Sequence, residues 1–436
     1  KTDLMAVIAK SVDGGLSIGA DEVEVMVTRD QGLEVSVRRG SIENLELSSD
    51  FSLSVSLLFG KRKGSVSSTN FDDSSIKTLL AKAKDLSLLL QEDPHYGLAP
   101  GELNPQKTIE LDLDYPWITE PSDAVEIGLT VERAGLSLNE RLLKSDSVEV
   151  FTTKSLVGYG NSNGFSAVVP SSRHSISSVF VAEQKNGMQR DHWYSVARDP
   201  SDLSEADQVG KEAARRTLVK LNPKRPENGL FPVLFAPNCA SSLISHFVSA
   251  VSGSSQFKKA SFLLNRIDQR IFPEWLTIME SPLEPRSLGG AFFDSDGVQT
   301  QNNKFVTDGV LTSYVLSNYS AKRLGLETTG NAGGVRNLTL AGPSFSQKDL
   351  LKQIGRGVFV SSVMGQGVNI VNGDYSRGAS GFWIENGEIS HAIDNFTIAG
   401  NLSDMFLGIQ ALGDDVDKRF NVRTPSILMD SMAVAS

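Results

Sequence analysis

The sequence predicts an α+β protein with an N-terminal helix–antiparallel meander–helix domain, a second α/β segment, and a glycine-rich, mainly antiparallel β C-terminal domain. Three observations carry this expectation. Apolar residues recur at helical spacing in residues 2–18, a period-two alternation of apolar and polar residues runs from Glu22 to Phe59, and beyond residue 229 strand-like runs are separated by glycines. At 436 residues the chain exceeds what one core comfortably holds. The expected division is 1–91, a connector at 92–122, a middle domain at 123–221, and a C-terminal domain at 229–436.

In the first segment, Leu4, Val7, Ile8, Val12, Leu16 and Ile18 suit an amphipathic helix closing near Gly19. EVEVMV, LEVSVR, IENLELS and LSVSLLF then alternate, separated by RDQG, RRG and SSD, which reads as a four-segment meander with one wet face. DDSS caps a helix from Ile76 to Leu90. Prolines 94, 100, 105, 116 and 121 break up the connector. A helix is expected over Ser122–Glu140, strands at VEVFTTKSLVGYGNSNG, SISSVFVAEQKNG and WYSVA, and a helix from about Ser204 to Leu221. Further on, PVLFA reads as a buried strand and PNCASSLISHFVSAVSG (237–253) as a helix. GVLTSYVLS, RNLTLA, GVFVSS, GVNIV, FWIENGEIS and NFTIAG read as strands, with Asn386-Gly387 as a hairpin turn.

Composition narrows the function. The chain is 40% hydrophobic and 22% charged, as ordinary globular proteins are, and its net charge of −10 argues against nucleic acid as a partner, because phosphate contacts draw on Lys and Arg. A lone cysteine, Cys239, excludes an intrachain disulfide and any multi-cysteine metal site, and fits a reducing cytoplasm. No run of about 18 apolar residues suggests a membrane span, and KTDLMAVIAKSVDGG lacks a signal peptide's apolar core.

Chemistry-bearing patterns are sparse. His246 sits just past the edge of the apolar half of its helix, which Cys239, Ala240, Leu243, Ile244, Phe247, Val248 and Val251 define, with Ser241, Ser242, Ser245 and Ser249 opposite. A histidine at such a boundary is most often a structural hydrogen-bonding residue. A helical zinc site needs two imidazoles and a carboxylate in one segment, as in H-E-x-x-H, whereas His95, His174, His192 and His391 are scattered. Gly378-Ala379-Ser380-Gly381 comes near a nucleophile elbow without matching it, and no phosphate-binding loop occurs. Asp294-Ser295-Asp296-Gly297 reads as a turn, and Asp414, Asp415 and Asp417 as a solvated acidic turn.

Whole phrases carry a resemblance. TTGNAGG (328–334), MGQGVNIVNGDYSRGASGFWIENGEI (364–389) and TIAGNLSDMF (397–406), with SVRRGSIENLE, GNSNGF, SSRHS, MQRDHWYSVARDP and FPEWLTI, resemble the TldD/TldE family along essentially the full chain. They are closest to its TldE branch, also called PmbA. The resemblance implies a cytoplasmic zinc-dependent peptidase of two related subunits, tied to peptide-antibiotic maturation and antitoxin degradation. The older name, modulator of DNA gyrase, comes from the same biology. In the TldD branch a helix bears H-E-x-x-x-H, with a further metal-binding cysteine near the C-terminus; the TldE branch is expected to lack both.

If His246 matches the second histidine of that motif, Ser241 and Ser242 stand where the first histidine and the glutamate would be, and no cysteine follows Cys239. Serine hydroxyls stay protonated at neutral pH and bind zinc weakly. The resemblance therefore implies a non-catalytic subunit, with no cofactor of its own and zinc in a TldD-like partner, that shapes a chamber for unfolded peptide. Chamber or interface candidates are His246, Arg336, Asp374, Tyr375, Arg377 and Trp383. Core glycines with a partly buried arginine pair are the plainer reading of the same segments. A family of paired subunits also implies that the isolated chain can pair with itself. Two other readings are an independent hydrolase using Ser380 or His246, and a non-enzymatic gyrase-modulating protein.

Overall fold

The computed structural model describes residues 1–117, 120–185 and 187–436. Ile118 and Thr119 of the expected connector, and Asn186 of the expected SISSVFVAEQKNG strand, lie outside the described residues. The α+β architecture read from the sequence is present: a helix-covered antiparallel sheet followed by a β-rich half.

In the first part, α1 (Thr2–Ser17) precedes β1 (Glu22–Arg38), β2 (Ser41–Phe59), β3 (Arg62–Ser68) and α2 (Asp73–Leu89), which Asp72 caps by accepting the Ser75 N–H. After the connector come α3 (Pro121–Leu136), β4 (Leu142–Asn161), β5 (Ser166–Gln184), β6 (Gly187–Ala197) and α4 (Ala206–Val219). All six strands form one antiparallel sheet in the order β3-β2-β1-β4-β5-β6. Strands on either side of the connector therefore share a sheet, through the β1–β4 ladder.

The RDQG and SSD segments are not turns. The ladder runs through them, pairing Asp30 with Asp50, Gln31 with Ser49 and Gly32 with Ser48, so the four expected segments are two long strands. The reason lies in parity. Buried Val23, Val25 and Val27 and buried Leu33, Val35 and Val37 are all odd-numbered, so one uninterrupted strand puts both sets on the same face. The first set packs under α1 and α2, whereas the second packs with Val131 of α3 and Val209 of α4. Arg29 and Gln31 lie between the sets and are exposed.

The β1–β2 turn uses left-handed backbone at Arg39 (φ 55°) and Gly40 (φ 74°). Buried Glu132 of α3 grips this turn, accepting the Arg39 N–H at 2.7 Å and the Gly40 N–H at 2.6 Å, and also accepts from Ser145 Oγ. Helices α3 and α4 meet at Gly210, where an added Cβ would lie 2.1 Å from the Val131 carbonyl oxygen. A side chain there would push the helices apart.

The C-terminal half opens with β7 (Gly229–Phe235), α5 (Pro237–Ala250) and α6 (Gly253–Phe257). It continues through β8 (Thr277–Glu280), β9 (Lys304–Thr307), β10 (Val310–Leu311), α7 (Asn318–Leu324), β11 (Leu338–Ala341), β12 (Ser344–Phe345) and α8 (Gln347–Ile354). Then follow β13 (Gly357–Met364), β14 (Asp374–Glu385), β15 (Glu388–Asn401), α9 (Leu402–Leu407), β16 (Ile409–Gly413), β17 (Val422–Arg423) and β18 (Ile427–Ala435). One sheet runs β10-β9-β8-β11-β17 and a larger one β12-β16-β18-β15-β14-β13-β7. Because β7 pairs with both β13 and β18, the larger sheet closes a ring of β7, β13, β14, β15 and β18. Helix α5 packs its apolar side into the shared core.

Two strand expectations differ here. Of GVLTSYVLS only Val310–Leu311 is strand, and Ser317 at the end of the segment caps α7. GVNIV is a loop folded back on β14: the Ser376 N–H donates to the Gly367 carbonyl at 2.6 Å, and a Cβ at Gly367 would meet the Ser376 oxygen at 2.0 Å. The FWIENGEIS hairpin forms, with Asn386 (φ 54°) and Gly387 (φ 74°) in its turn.

Substituting Glu132→Ala strips two backbone donors of a charged acceptor, and a loss of about 2–3 kcal/mol is expected in urea unfolding. A loss under about 0.5 kcal/mol, the range of an ordinary surface change, would refute the anchoring role.

Candidate functional site around helix α5

Pro237 starts α5, where its missing N–H is no loss. Cys239, Ala240, Leu243, Ile244, Phe247 and Ala250 are buried, and Phe247 meets the rings of Phe272 at 5.3 Å and Phe406 at 6.2 Å. Ser241 is buried as well, against the sequence expectation, because its hydroxyl donates to the Val422 carbonyl at 2.8 Å. Ser245 donates to the Ser241 carbonyl at 2.7 Å and Ser249 to the Ser245 carbonyl at 2.9 Å, so these hydroxyls are bound within their own helix.

His246 is half-buried, and its Nε2 is enclosed without a hydrogen-bond partner. The ring stands edge-on to Tyr375, 6.2 Å between centroids. Burial holds the imidazole below its ordinary pKa, and the nearby Arg377 guanidinium pushes the same way. Tyr375 is buried, which raises its phenol, while Arg377 opposes that rise. Arg377 Nε donates to the Met364 carbonyl at 3.2 Å. Positions 375 and 377 share a face of β14, which brings three of the six candidates together.

The other three lie elsewhere. Asp374 is exposed and accepts from the Asn372 side-chain amide at 2.6 Å. Trp383 follows the β14 bulge between Ala379 and Gly381, donates to Glu385 at 2.9 Å, and packs edge-on against Phe231 at 5.0 Å. Arg336 belongs to a buried polar network beside the smaller sheet. Its backbone N–H donates to Glu280 Oε2 at 2.9 Å, and its guanidinium donates to the carbonyls of Gly334 (3.2 Å) and Ala332 (3.3 Å). Asp294 serves the same network, accepting the N–H groups of Asp296, Val298 and Ala332, each at 2.9 Å; burial pushes it up to about 6.

The donor chemistry around His246 does not fit a catalytic zinc ion. Ser241 is committed to a carbonyl and Arg377 brings a positive charge. Among the described residues no three His, Cys, Asp or Glu side chains gather where they could hold a metal. Cys239 is 2% exposed, and burial pushes its thiol up to about 12, far from a reactive thiolate. Ser380 lies inside β14, opposite Ser362, rather than at a strand-to-helix elbow.

Sequence reasoning missed a cleft of about 660 Å³ between β6 and α4 on one side and the start of α5 with β13 and β14 on the other. Arg419 crosses it. It forms a two-pronged pair with Asp417 (2.9 and 2.7 Å), donates to the Tyr194 carbonyl at 2.8 Å, and lies 4.2 Å and 4.3 Å from the ring centroids of Trp193 and Tyr194. Asp417 is thus a buried clasp residue, not part of a solvated turn. Its sequence signal was the Asp417-Lys418-Arg419 run, one acidic residue followed by two basic ones.

Two outcomes follow from this geometry. The His246 ring proton should titrate with a midpoint below about 6.5 by NMR, and Arg377→Gln should move it upward by removing a repelling charge. A midpoint unmoved by that substitution would separate the two residues. A thiol reagent at pH 8 should label Cys239 only after unfolding; rapid labelling of the folded chain would contradict the burial described.

Profiles of known families match the chain in three consecutive parts. They are PmbA/TldA metallopeptidase domain 1 at residues 23–87, the central domain at 114–221, and the C-terminal domain at 228–436. The metalloprotease PmbA of Escherichia coli O157:H7 is 39% identical over 416 residues, covering 95% of this chain and 92% of that protein. A metalloprotease PmbA homolog of Haemophilus influenzae is 37% identical, covering 99% and 96%. A metalloprotease TldD homolog of Buchnera aphidicola is 25% identical, covering 60% and 58%. Among solved structures, a Bacteroides thetaiotaomicron protein described as a candidate modulator of DNA gyrase superposes with a TM-score of 0.94 at 24% identity, over 100% of this chain and 99% of that one. TldE from Thermococcus kodakarensis superposes at 0.87 with 21% identity, over 99% and 100%. These two likenesses bear on the fold. The sequence matches settle the family: this chain belongs to the PmbA/TldD metallopeptidases.

Proposed function

We propose that this chain is the non-catalytic TldE/PmbA-type subunit of a two-subunit metallopeptidase, forming part of a chamber for unfolded or extended peptides while a TldD-like partner supplies the zinc. The observation that supports this reading is helix α5, which carries Ser241, Ser242 and His246: with His246 taken as the second histidine of an H-E-x-x-x-H motif, serines stand in place of its first histidine and glutamate. Without an imidazole pair and a carboxylate, no water can be bound and deprotonated there. His246, Tyr375 and Arg377 are then wall residues that meet substrate. The substrates would be precursors of modified peptide antibiotics and unfolded antitoxins.

The reading places the subunit in the cytoplasm, which a lone buried cysteine supports. No helix among the described residues is long and apolar enough to cross a membrane.

The test assays zinc content and cleavage of an unfolded peptide for the chain alone, the TldD-like partner alone, and the mixture. Zinc is expected with the partner, and cleavage by the mixture should exceed that of either chain alone. Stoichiometric zinc and full activity in the isolated chain would overturn the proposal.

A further inference from the structure

Arg377 is a cation left without a counter-ion. Arg356, Arg419 and Arg423 in the same half of the chain each hold a carboxylate. Among the described residues no Asp or Glu lies within ion-pair distance of Arg377, whose one protein partner is the Met364 carbonyl on Nε. Both Nη groups of its fork remain available. Beside it, His246 Nε2 is enclosed with no partner, an arrangement that leaves a buried polar atom unsatisfied. The buried Tyr375 ring forms an apolar wall against the imidazole. Among the described residues no carboxylate acts on His246 to offset the arginine.

A planar fork with two free N–H edges, next to a second hydrogen-bonding nitrogen and an aromatic surface, matches a carboxylate in shape and charge. We infer that Arg377, His246 and Tyr375 form a subsite for a carboxylate group of the bound peptide. Arg377 supplies the charge and the paired hydrogen bonds, while the half-buried His246 ring, with the buried Tyr375 packed against it, lies beside the bound group and senses its charge. This deepens the chamber reading and rests on it, because it names the group by which the silent subunit holds its substrate. The carboxylate comes either from the peptide's C-terminus or from an Asp or Glu side chain.

The test uses the isolated full chain and three probes: N-acetyl-trialanine as the free acid, the same peptide as the amide, and N-acetyl-Ala-Glu-Ala amide. Ring-proton NMR of His246, assigned through loss of its signal in His246→Gln, reports binding. At least one carboxylate probe should shift the signal and raise its titration midpoint, whereas the neutral amide should not. Response to the free acid alone identifies the chain terminus, response to the glutamyl probe alone identifies a side chain, and response to both identifies any carboxylate. Arg377→Gln should weaken binding at least about tenfold, as expected for loss of a charge-assisted contact, with Arg377→Lys in between. The inference fails if neither acid shifts His246, if the neutral amide shifts it equally, or if Arg377→Gln binds as the unaltered chain does. No partner and no cleavage enter this measurement, so its failure is distinct from discovery of activity in the chain alone.

Discussion

The chemistry of this chain depends on how α5 is locked into the C-terminal core. Leu243, Ile244 and Phe247 are fully buried against the aromatic cluster and the closed strand ring. Each contributes about 1.5–3 kcal/mol. Turning the helix by one residue, about 100°, would move Phe247 out of its pocket and bring His246 or Val248 into its place. Packing therefore dictates which side chains meet β14, and it brings His246 beside Tyr375 and Arg377. Ser241 and Ser245 are held by carbonyl partners, so their hydroxyls are committed within the fold.

The junction between the first sheet and the C-terminal half is equally specific. Strand β6 is an edge strand, and its outward carbonyls at His192 and Tyr194 accept from Arg216 (3.2 Å) and Arg419 (2.8 Å). Capped in this way, that stretch of edge is closed to strand addition by a passing peptide. The outer edge of β2 before Leu53, by contrast, has no strand partner among the described residues, since β3 pairs only with Leu53–Phe59. The proposed recognition of extended chains draws on side chains such as Arg377 rather than on the β6 edge.

Much of the architecture was legible in the sequence because it rests on local periodicity and turn chemistry. The start of α5 at Pro237, the Asn386-Gly387 hairpin and the Asp72 cap all follow from such signals, although α5 ends at Ala250, short of the expected Gly253. The long strands were misread because the polar middles of β1 and β2 mimic turns; the unbroken parity of Val23 through Val37 was the cue that they continue. For the candidate site, the wheel position of His246 and the nearness of Tyr375 to Arg377 in sequence were readable. Their meeting across two elements was not, since it depends on the β7–β13–β14 pairing, a contact between residues more than a hundred apart. Arg336 and Trp383 illustrate the opposite case: conspicuous residues in glycine-rich phrases, each held by its own local partners.

The claim that this polypeptide offers no metal centre is tested most directly by thermal unfolding of chelator-treated, isolated chain at increasing zinc concentration. A ligand bound by the native state raises the melting temperature in proportion to the logarithm of its concentration above Kd. The account predicts a melting temperature that does not rise with zinc. A steady rise, abolished by His246→Gln, would show that α5 grips a metal after all.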